Sequence, residues 1–372
     1  MRVLMVVKSG VTDDARVRRE AVALVEAGHH VTVVGDRPGP DHALPGVDVR
    51  FCRKPSTRSS WSDVTAIRRL VRWLLLPSHR RRDNRLFVEA AARLCSGITA
   101  DVGHAHDLVG LVAMTSALHQ PSVLVYDAHE CWTGRRSVGR PEWFGRRFDG
   151  RRERRLGRSA SVVVTVSDEL ATWLRSNRGF SDVRVVRNTA GSGRGRPAAP
   201  SVAHYGGRID EERDLLTAAA GVALVDGVEL MVRGGGDQAS IEALCDAGVD
   251  VLPPISPEEL VDELRDAGIG LVTLSGGSMN HEVALPNKLF LAVQAGVPVV
   301  AADLPALRRV VTEHGLGELY TPGDADSFAG ALRSVVERHE EYCDRVAASQ
   351  AVLSWQHDAQ VLVAMYEELA TS

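Results

Sequence analysis

Lysine is scarce in this chain: only Lys8, Lys54 and Lys288 occur, and arginine carries the rest of the positive charge. A lysine inside a motif therefore draws attention. Lys288 lies in Leu285-Pro286-Asn287-Lys288-Leu289-Phe290, where proline stands just ahead of an apolar-periodic segment. Proline there opens a helix whose first N–H groups lack partners, and a lysine on the first turn adds a full charge. Together they make an anion site. Upstream, His204-Tyr205 runs into Gly206-Gly207-Arg208, and Arg213 follows. Glycines at a strand end let the backbone approach a ligand. Two guanidinium groups on the next turn match phosphate oxygens, because the planar fork donates in pairs. The chemistry that fits is neutralisation of a diphosphate. Read singly, the arginines fit a surface salt bridge equally well, and Lys288 fits an exposed helix start.

The first half offers a different set. Asp127-Ala-His129-Glu130 follows one apolar run, and His104-Ala-His106-Asp107 follows another. In parallel sheets the C-terminal strand ends face the ligand. There His129 can hydrogen-bond a sugar hydroxyl or steady charge with its backbone carbonyl. His106 and Asp107 fall at a similar edge. Two histidines at i, i+2 raise a metal, but no third ligand stands beside them, so no metal is expected. A lone histidine is usually structural; the strand-end position singles out His129. The one Asp-x-Asp, Asp324-Ala-Asp326, precedes a late helix and reads as its cap. There is no G-x-x-x-x-G-K-[ST] loop and no G-x-G-x-x-G after the first strand, which speaks against P-loop and dinucleotide chemistry.

These residues need elements to hold them. Apolar strands alternate with amphipathic helices along the chain, the pattern of an α/β fold with parallel sheets. In the first half, strands are read at 2–7, 30–35, 101–104, 122–126, 161–166 and 183–186, and helices at 15–27, 108–118 and 168–176. In the second half, strands are read at 202–205, 229–233, 249–252, 269–273 and 297–301, and helices at 257–266, 287–295 and 326–340. Residues 191–200, GSGRGRPAAP, make the linker. The expectation is two Rossmann-like domains, 1–190 and 201–352, with a ligand cleft between their strand ends.

Composition agrees with two soluble domains. The chain has 372 residues, more than one core usually spans, with 44% hydrophobic and 25% charged residues. Cys52, Cys95, Cys131, Cys245 and Cys343 form no C-x-x-C pair, which argues against a disulfide framework or zinc ribbon and for a cytoplasmic location. The opening apolar run is too short for a signal peptide, and no stretch approaches the ~20 apolar residues of a membrane span. Up to Ala190 there are 32 basic and 20 acidic residues, a balance of +12; the remainder holds 12 and 28, a balance of −16, which closes to the net −4. Such halves suggest different partners; nucleic acid is not expected as one. Residues 61–93 contain RRLVRWLLLP and HRRRDNR. They read either as a solvated basic helix pair or, from Arg68 to Arg93, as a peripheral contact on the inner membrane face, sensitive to salt. The run from Arg146 to Arg158 reads as a charged helix face.

Taken together, the motifs resemble the family-4 retaining glycosyltransferases of the GT-B fold, over nearly the whole chain. KSGVTDDARVRREAVALVEAGHHVTVVG is similar to the family's opening strand–loop–helix–strand. DVGHAHD, VLVYDAHE, VVVTVSDELATWL and VVRN resemble its interior N-domain segments, and HYGGRIDEER its G-R-x-x-x-x-[KR] turn. LPNKLFLAVQAGVPVVAADLPALRRVV is the most specific match, and SWQHDAQVLVAMYEEL looks like the terminal helix that returns to the N-domain, residues 353–372. The resemblance implies a nucleotide-sugar donor, an unidentified small-molecule or lipid-linked acceptor, and no cofactor or metal. Arg208, Arg213, Lys288 and Gly207 would hold the donor diphosphate, and Glu282, Leu285, Asn287 and Leu291 would line the donor sugar and nucleotide. His129 takes the place of the family's catalytic histidine. The loop from Ser9 through Gly10 to Asp14 would close over phosphate and acceptor, with His106 and Asp107 on the acceptor side.

One departure stands out. The family's second glutamate, which holds the ribose hydroxyls, aligns with Leu291, and the first aligns with Val283 beside Glu282. Leucine accepts no hydrogen bond, so the missing ribose contact costs about 2–3 kcal/mol of donor binding. Two alternatives stay open on the sequence: a catalytically weak homologue serving as partner to another transferase, and a nucleotide-sugar epimerase of similar fold.

Overall fold

The computed structural model describes residues 1–11, 14–37, 44–52, 82–135, 143–191, 193 and 195–371. The chain divides into two compact units, Met1–Val186 with Ala359–Ser372, and Arg187–Asp358. Each unit is a parallel sheet between helices, the α/β class expected.

In the first unit the strands are β1 Arg2–Val6, β2 His30–Gly35, β3 Val47–Phe51, β4 Val102–His106, β5 Val123–Ala128, β6 Val162–Thr165 and β7 Val183–Val185. They run β3-β2-β1-β4-β5-β6-β7. Val3 pairs with Val31 on one side and Val102 on the other. The strand order reverses between β1 and β4, so their C-terminal ends form the natural crevice of the sheet. Valines and alanines fill the strands because both faces are covered. The helix Ala15–Glu26 begins at Asp14, whose carboxylate accepts from the Val17 amide. The helix Asp168–Arg178 is capped by Ser167 and closed by Gly179 in the left-handed region.

The second unit has β8 Val202–Gly206, β9 Glu229–Arg233, β10 Val251–Leu252, β11 Gly268–Val272, β12 Val299–Ala302 and β13 Gly317–Tyr320, in the order β10-β9-β8-β11-β12-β13. Its reversal lies between β8 and β11, with His204 opposite Gly270. Asp324 caps the helix Ala325–Glu337 through the Ser327 amide, the capping role read from its sequence.

Several boundaries move. β4 continues two residues past the expected 104, because buried neighbours accommodate His104 and His106 inside the sheet. The apolar pattern gives no sign of β3 or β13. β3 is a half-exposed edge strand with no apolar run, and β13 is only four residues long. The helix expected at 326–340 ends at Glu337, and a second helix, His339–Ser349, follows. The linker stretch 191–200 belongs to the second unit. Of the basic region from Arg68 to Arg93, residues 68–81 lie outside the described ones, and the rest falls in the helix Arg82–Cys95. Among the described residues, no helix is long and apolar enough to cross a membrane.

Gly234 has φ +151°, and a Cβ there would fall 1.7 Å from the carbonyl oxygen of Gly207. The loops after β8 and β9 are therefore pressed together backbone to backbone. Gly234→Ala is expected to destabilise the second unit by at least about 2 kcal/mol. A urea melt that shows an unchanged midpoint would contradict this close approach.

Candidate functional site

In the second unit the candidate residues gather where β8 ends. Gly207 takes φ +143°, and a Cβ there would lie 2.9 Å from the Lys288 ammonium, so only glycine leaves that space. The chain turns through Arg208 and Ile209 to Asp210, which caps the short 3-10 turn Glu211–Arg213 by accepting from the Glu212 amide. Asp210 collects both arginines: Arg208 Nε is 3.0 Å from one carboxylate oxygen and Arg213 Nε 3.2 Å from the other. The Arg208 side chain is 72% exposed and that of Arg213 24%. Lys288 reaches the same place from the helix Asn287–Ala295, with its ammonium 4.7 Å from the centre of the Tyr205 ring. Burial pushes the Lys288 pKa down to about 7, and the neighbouring Arg213 pushes in the same direction. A lysine held this way gains from an anion twice over: it recovers a counter-charge and its proton.

The helix that carries Lys288 starts at Pro286 with no side chain capping it. The Leu289 amide donates to the Pro286 carbonyl at 3.0 Å, which leaves the Asn287 and Lys288 amides of the first turn for an anion. Asn287 is tied by its side-chain oxygen to Asn188 Nδ2 at 2.9 Å. Leu285 is buried in the hydrophobic core, and Leu291 packs half-buried against that core. Glu282 ends the short helix Met279–Glu282, half-buried.

In the first unit the strand-end residues belong to a buried charged network that the sequence only partly shows. Its hub is Asp127 in β5. Arg16 donates to it twice, from Nε at 2.7 Å and from a terminal nitrogen at 2.9 Å. His129 Nε2 is 2.8 Å and His106 Nδ1 3.2 Å from the same Asp127 oxygen. Arg16 also lies 3.0 Å from Glu20, one helical turn on. His104 stacks on His106 with centroids 4.5 Å apart, and its Nδ1 lies 2.8 Å from the Tyr366 hydroxyl oxygen. Arg16, Glu20, His104, His106 and Asp127 are all buried, whereas 18% of the His129 side chain is exposed.

The electrostatics follow from this geometry. Burial favours the neutral form of Asp127, but Arg16 and His129 outweigh it and hold the carboxyl well below the usual range. Burial likewise opposes charge on His129, yet Asp127 and then Asp107 overcome it and raise the ring to about 10. Burial keeps His104 and His106 neutral. Glu20 is pushed up by burial, against the pull of Arg16, to about 8. Neither of its oxygens, nor His104 Nε2, nor His106 Nε2, has a hydrogen-bond partner among the described residues. Donor atoms of Glu20, His104, His106 and Asp127 lie within 4.8 Å of one another, a spacing that suits a cation. The guanidinium of Arg16, set against both carboxylates, already serves as that cation.

The other predicted residues fall as follows. His106 is not beyond the strand, as its sequence suggested, but inside β4 and fully buried. Asp107 opens the helix Asp107–Met114 from the left-handed region, φ 54°. Ser9 donates to the Asp14 carboxylate at 3.1 Å, and Gly10 bridges to Arg37, so the loop's two ends are anchored; residues 12 and 13 lie outside the described ones. The sequence alone does not point to Arg16, Glu20 or Tyr366, and it raises His104 only as one of two histidines at i, i+2. The available signal is that Arg16 and Glu20 share the stripe of Leu24, four residues apart, on the core face of an amphipathic helix.

Comparison with known proteins bears on both units. Residues 15–190 match the model described as Glycosyltransferase Family 4, and residues 201–338 match Glycosyl transferases group 1. A phosphatidyl-myo-inositol mannosyltransferase of Mycobacterium leprae is 28% identical over 227 residues, 56% of this chain and 59% of that protein. A D-inositol 3-phosphate glycosyltransferase of a Nocardioides species is 32% identical over 212 residues, 48% of this chain and 44% of that protein. The chain thus spans less than two thirds of the length of these relatives. Sucrose-phosphate synthase from Thermosynechococcus elongatus superposes with a TM-score of 0.77 over 100% of both chains at 17% identity. Anabaena HepE in complex with UDP-glucose does so with a TM-score of 0.68 over 99% of this chain and 100% of that one, also at 17% identity. At such identities the likeness concerns the fold, which is GT-B. On its two domain matches and its architecture, the chain belongs to the family-4, group 1 glycosyltransferases.

Proposed function

We propose that this protein transfers a sugar from a nucleotide-activated donor to an acceptor hydroxyl, with retention of anomeric configuration and without a metal. The observation that carries the reading is the gathering of Arg208, Arg213, Lys288 and an uncapped helix start around the end of β8. In this reading the leaving nucleoside diphosphate is neutralised by Arg213, Lys288 and helix N–H groups, which take the part a divalent ion plays elsewhere. Asp210 occupies the arginines until the diphosphate competes for them. The bond from the anomeric carbon to the diphosphate breaks as the acceptor oxygen attacks from the same face. The acceptor's proton passes to the departing phosphate oxygen. His129 stands beside the donor sugar, and the loop from Ser9 to Asp14 serves phosphate and acceptor.

The relatives direct the choice of substrates. UDP-glucose is the first donor to try, since HepE holds it. Inositol phosphates and phosphatidylinositol are the first acceptors, since the curated relatives are named for them. A lipid-linked acceptor would be met at the membrane surface, from a cytoplasmic protein in peripheral contact. The test is incubation with UDP-, GDP-, ADP- and dTDP-sugars and these acceptors, with products read by NMR. Product of retained configuration, formed in EDTA, supports the proposal. No turnover and no thermal shift with any nucleotide would sink it.

Leu291 gives a second check. Leu291→Glu is expected to tighten nucleoside diphosphate binding by roughly 30- to 150-fold, by supplying a carboxylate for the ribose hydroxyls. Calorimetry showing weaker or unchanged binding would mean that the ribose is held elsewhere.

A further inference from the structure

We propose that His129 works as a permanently charged imidazolium, clamped between Asp127 and Asp107, with Asp127 and Arg16 as its positioning residues. Its use in catalysis rests on the glycosyl-transfer reading; its charge rests on geometry. Each ring nitrogen faces a carboxylate: Nε2 is 2.8 Å from Asp127 and Nδ1 is 3.9 Å from Asp107. A neutral imidazole has one N–H and one lone pair, so one of these carboxylates would face a lone pair. Only the doubly protonated ring suits both. Asp107 is fixed beside the ring, because from its left-handed backbone it also accepts the His129 amide, at 3.3 Å.

The groups facing the ring from each neighbouring element point the same way. From the first helix come Arg16 and Glu20, with Asp14 at its cap. Arg16 is a cation, but Asp127 accepts from it twice, at 2.7 and 2.9 Å, and so offsets its charge where it lies. From β4 come His104 and His106; His106 Nδ1 sits 3.0 Å from His129 Nε2, and burial leaves it neutral. From the segment after β5 come Glu130 and Arg135, which pair with each other. Arg135 also lies 3.9 Å from Asp107. What remains to set the charge of His129 is the pair of carboxylates on its nitrogens.

A ring held this way has no lone pair at neutral pH, so it is not the base that accepts the acceptor's proton. With Nε2 hydrogen-bonded to Asp127, Nδ1 within ion-pair range of Asp107 and part of the ring exposed, it offers a fixed positive field. That suits an anionic oxygen of the substrate, the chemistry of a phosphate.

Long-range proton–nitrogen NMR of protein carrying 15N-labelled histidine tests this, with the His129 signals assigned through His129→Gln. Both His129 nitrogens are expected to remain protonated from pH 5.5 to at least 8.5. A midpoint near the ordinary value of about 6.5 would overturn the proposal. Asp127→Asn should lower the midpoint by two units or more. Asp107→Asn, at a partly exposed site, should lower it less, and it keeps the test alive if the first variant fails to fold. A midpoint unmoved in the variants that fold would equally overturn the clamp. In turnover at saturating donor, where the loss of affinity through Lys288 does not enter, Asp107→Asn should acquire a falling limb in kcat between pH 7 and 9 that the wild type lacks. The spectra need no substrate, so failure of sugar transfer and failure of the imidazolium are separate results.

Discussion

Replacing Arg213 and Lys288 together by alanine is expected to weaken nucleoside diphosphate binding by about a thousand-fold. Each contributes a charge-assisted contact worth about 2 kcal/mol, and about 4 kcal/mol is roughly three powers of ten. The same residues give the affinity a direction in pH. Burial holds free Lys288 near 7, so above that pH it is increasingly neutral. The diphosphate requires the ammonium, and binding must then take up a proton. Wild-type affinity should fall by roughly ten-fold between pH 7 and 8.5, and proton uptake should appear when buffers of different ionisation enthalpy are compared. Lys288→Ala should bind weakly with no such slope. A slope that survives in this variant would assign the titration to another group.

Arg16→Met is expected to be the most damaging substitution in the first unit. It removes the cation from the buried Asp127 carboxylate, and from Glu20 beside it, while nearly preserving volume. Breaking a buried pair on one side typically costs about 3–5 kcal/mol. In a unit of this size that is roughly 10 °C in melting temperature. The sign with pH is distinctive. In the wild type, Asp127 sits below its unfolded value, so its contribution is present above about pH 4 and is lost as pH falls through the folded value. In the variant only His129 offsets burial, so the same carboxyl moves up from its wild-type value and its ionisation becomes more costly. That penalty shrinks on acidification, so the gap to wild type should narrow from pH 7.5 to 5.5. Calorimetry at the two values checks it; a variant as stable as wild type would show that the hub does not hold the unit together.

How much of the site is legible in the sequence depends on the kind of residue. The phosphate-side features are local: a strand that ends in glycines, a proline before a helix, a lysine in a chain nearly without lysines. Each announces itself within a few positions, and the structure brings Arg208, Arg213 and Lys288 to the same strand end. What the sequence does not disclose is Asp210 as the carboxylate shared by the two arginines, although it lies between them in the chain. The first-unit network is harder to read. Arg16 meets Asp127 across 111 positions, and His104 meets Tyr366 across 262. Charged residues on a helix are ordinarily solvated, and nothing local marks Arg16 and Glu20 as the exception. The polar His104 and His106 make β4 read as stopping early, whereas partners inside the sheet satisfy them. Leu291 and Leu285 draw notice for their place in a motif; in the structure both serve the packing of the second unit.

The most direct measurement is isothermal titration of the purified protein with UDP, GDP, ADP and dTDP, repeated with the Arg213→Ala, Lys288→Ala double variant. The expected result is micromolar binding of at least one nucleotide, weakened by salt and by rising pH, and absent in the variant. Binding that is undiminished in the variant, or no binding of any nucleotide to the wild type, would contradict the assignment of a diphosphate to the end of β8.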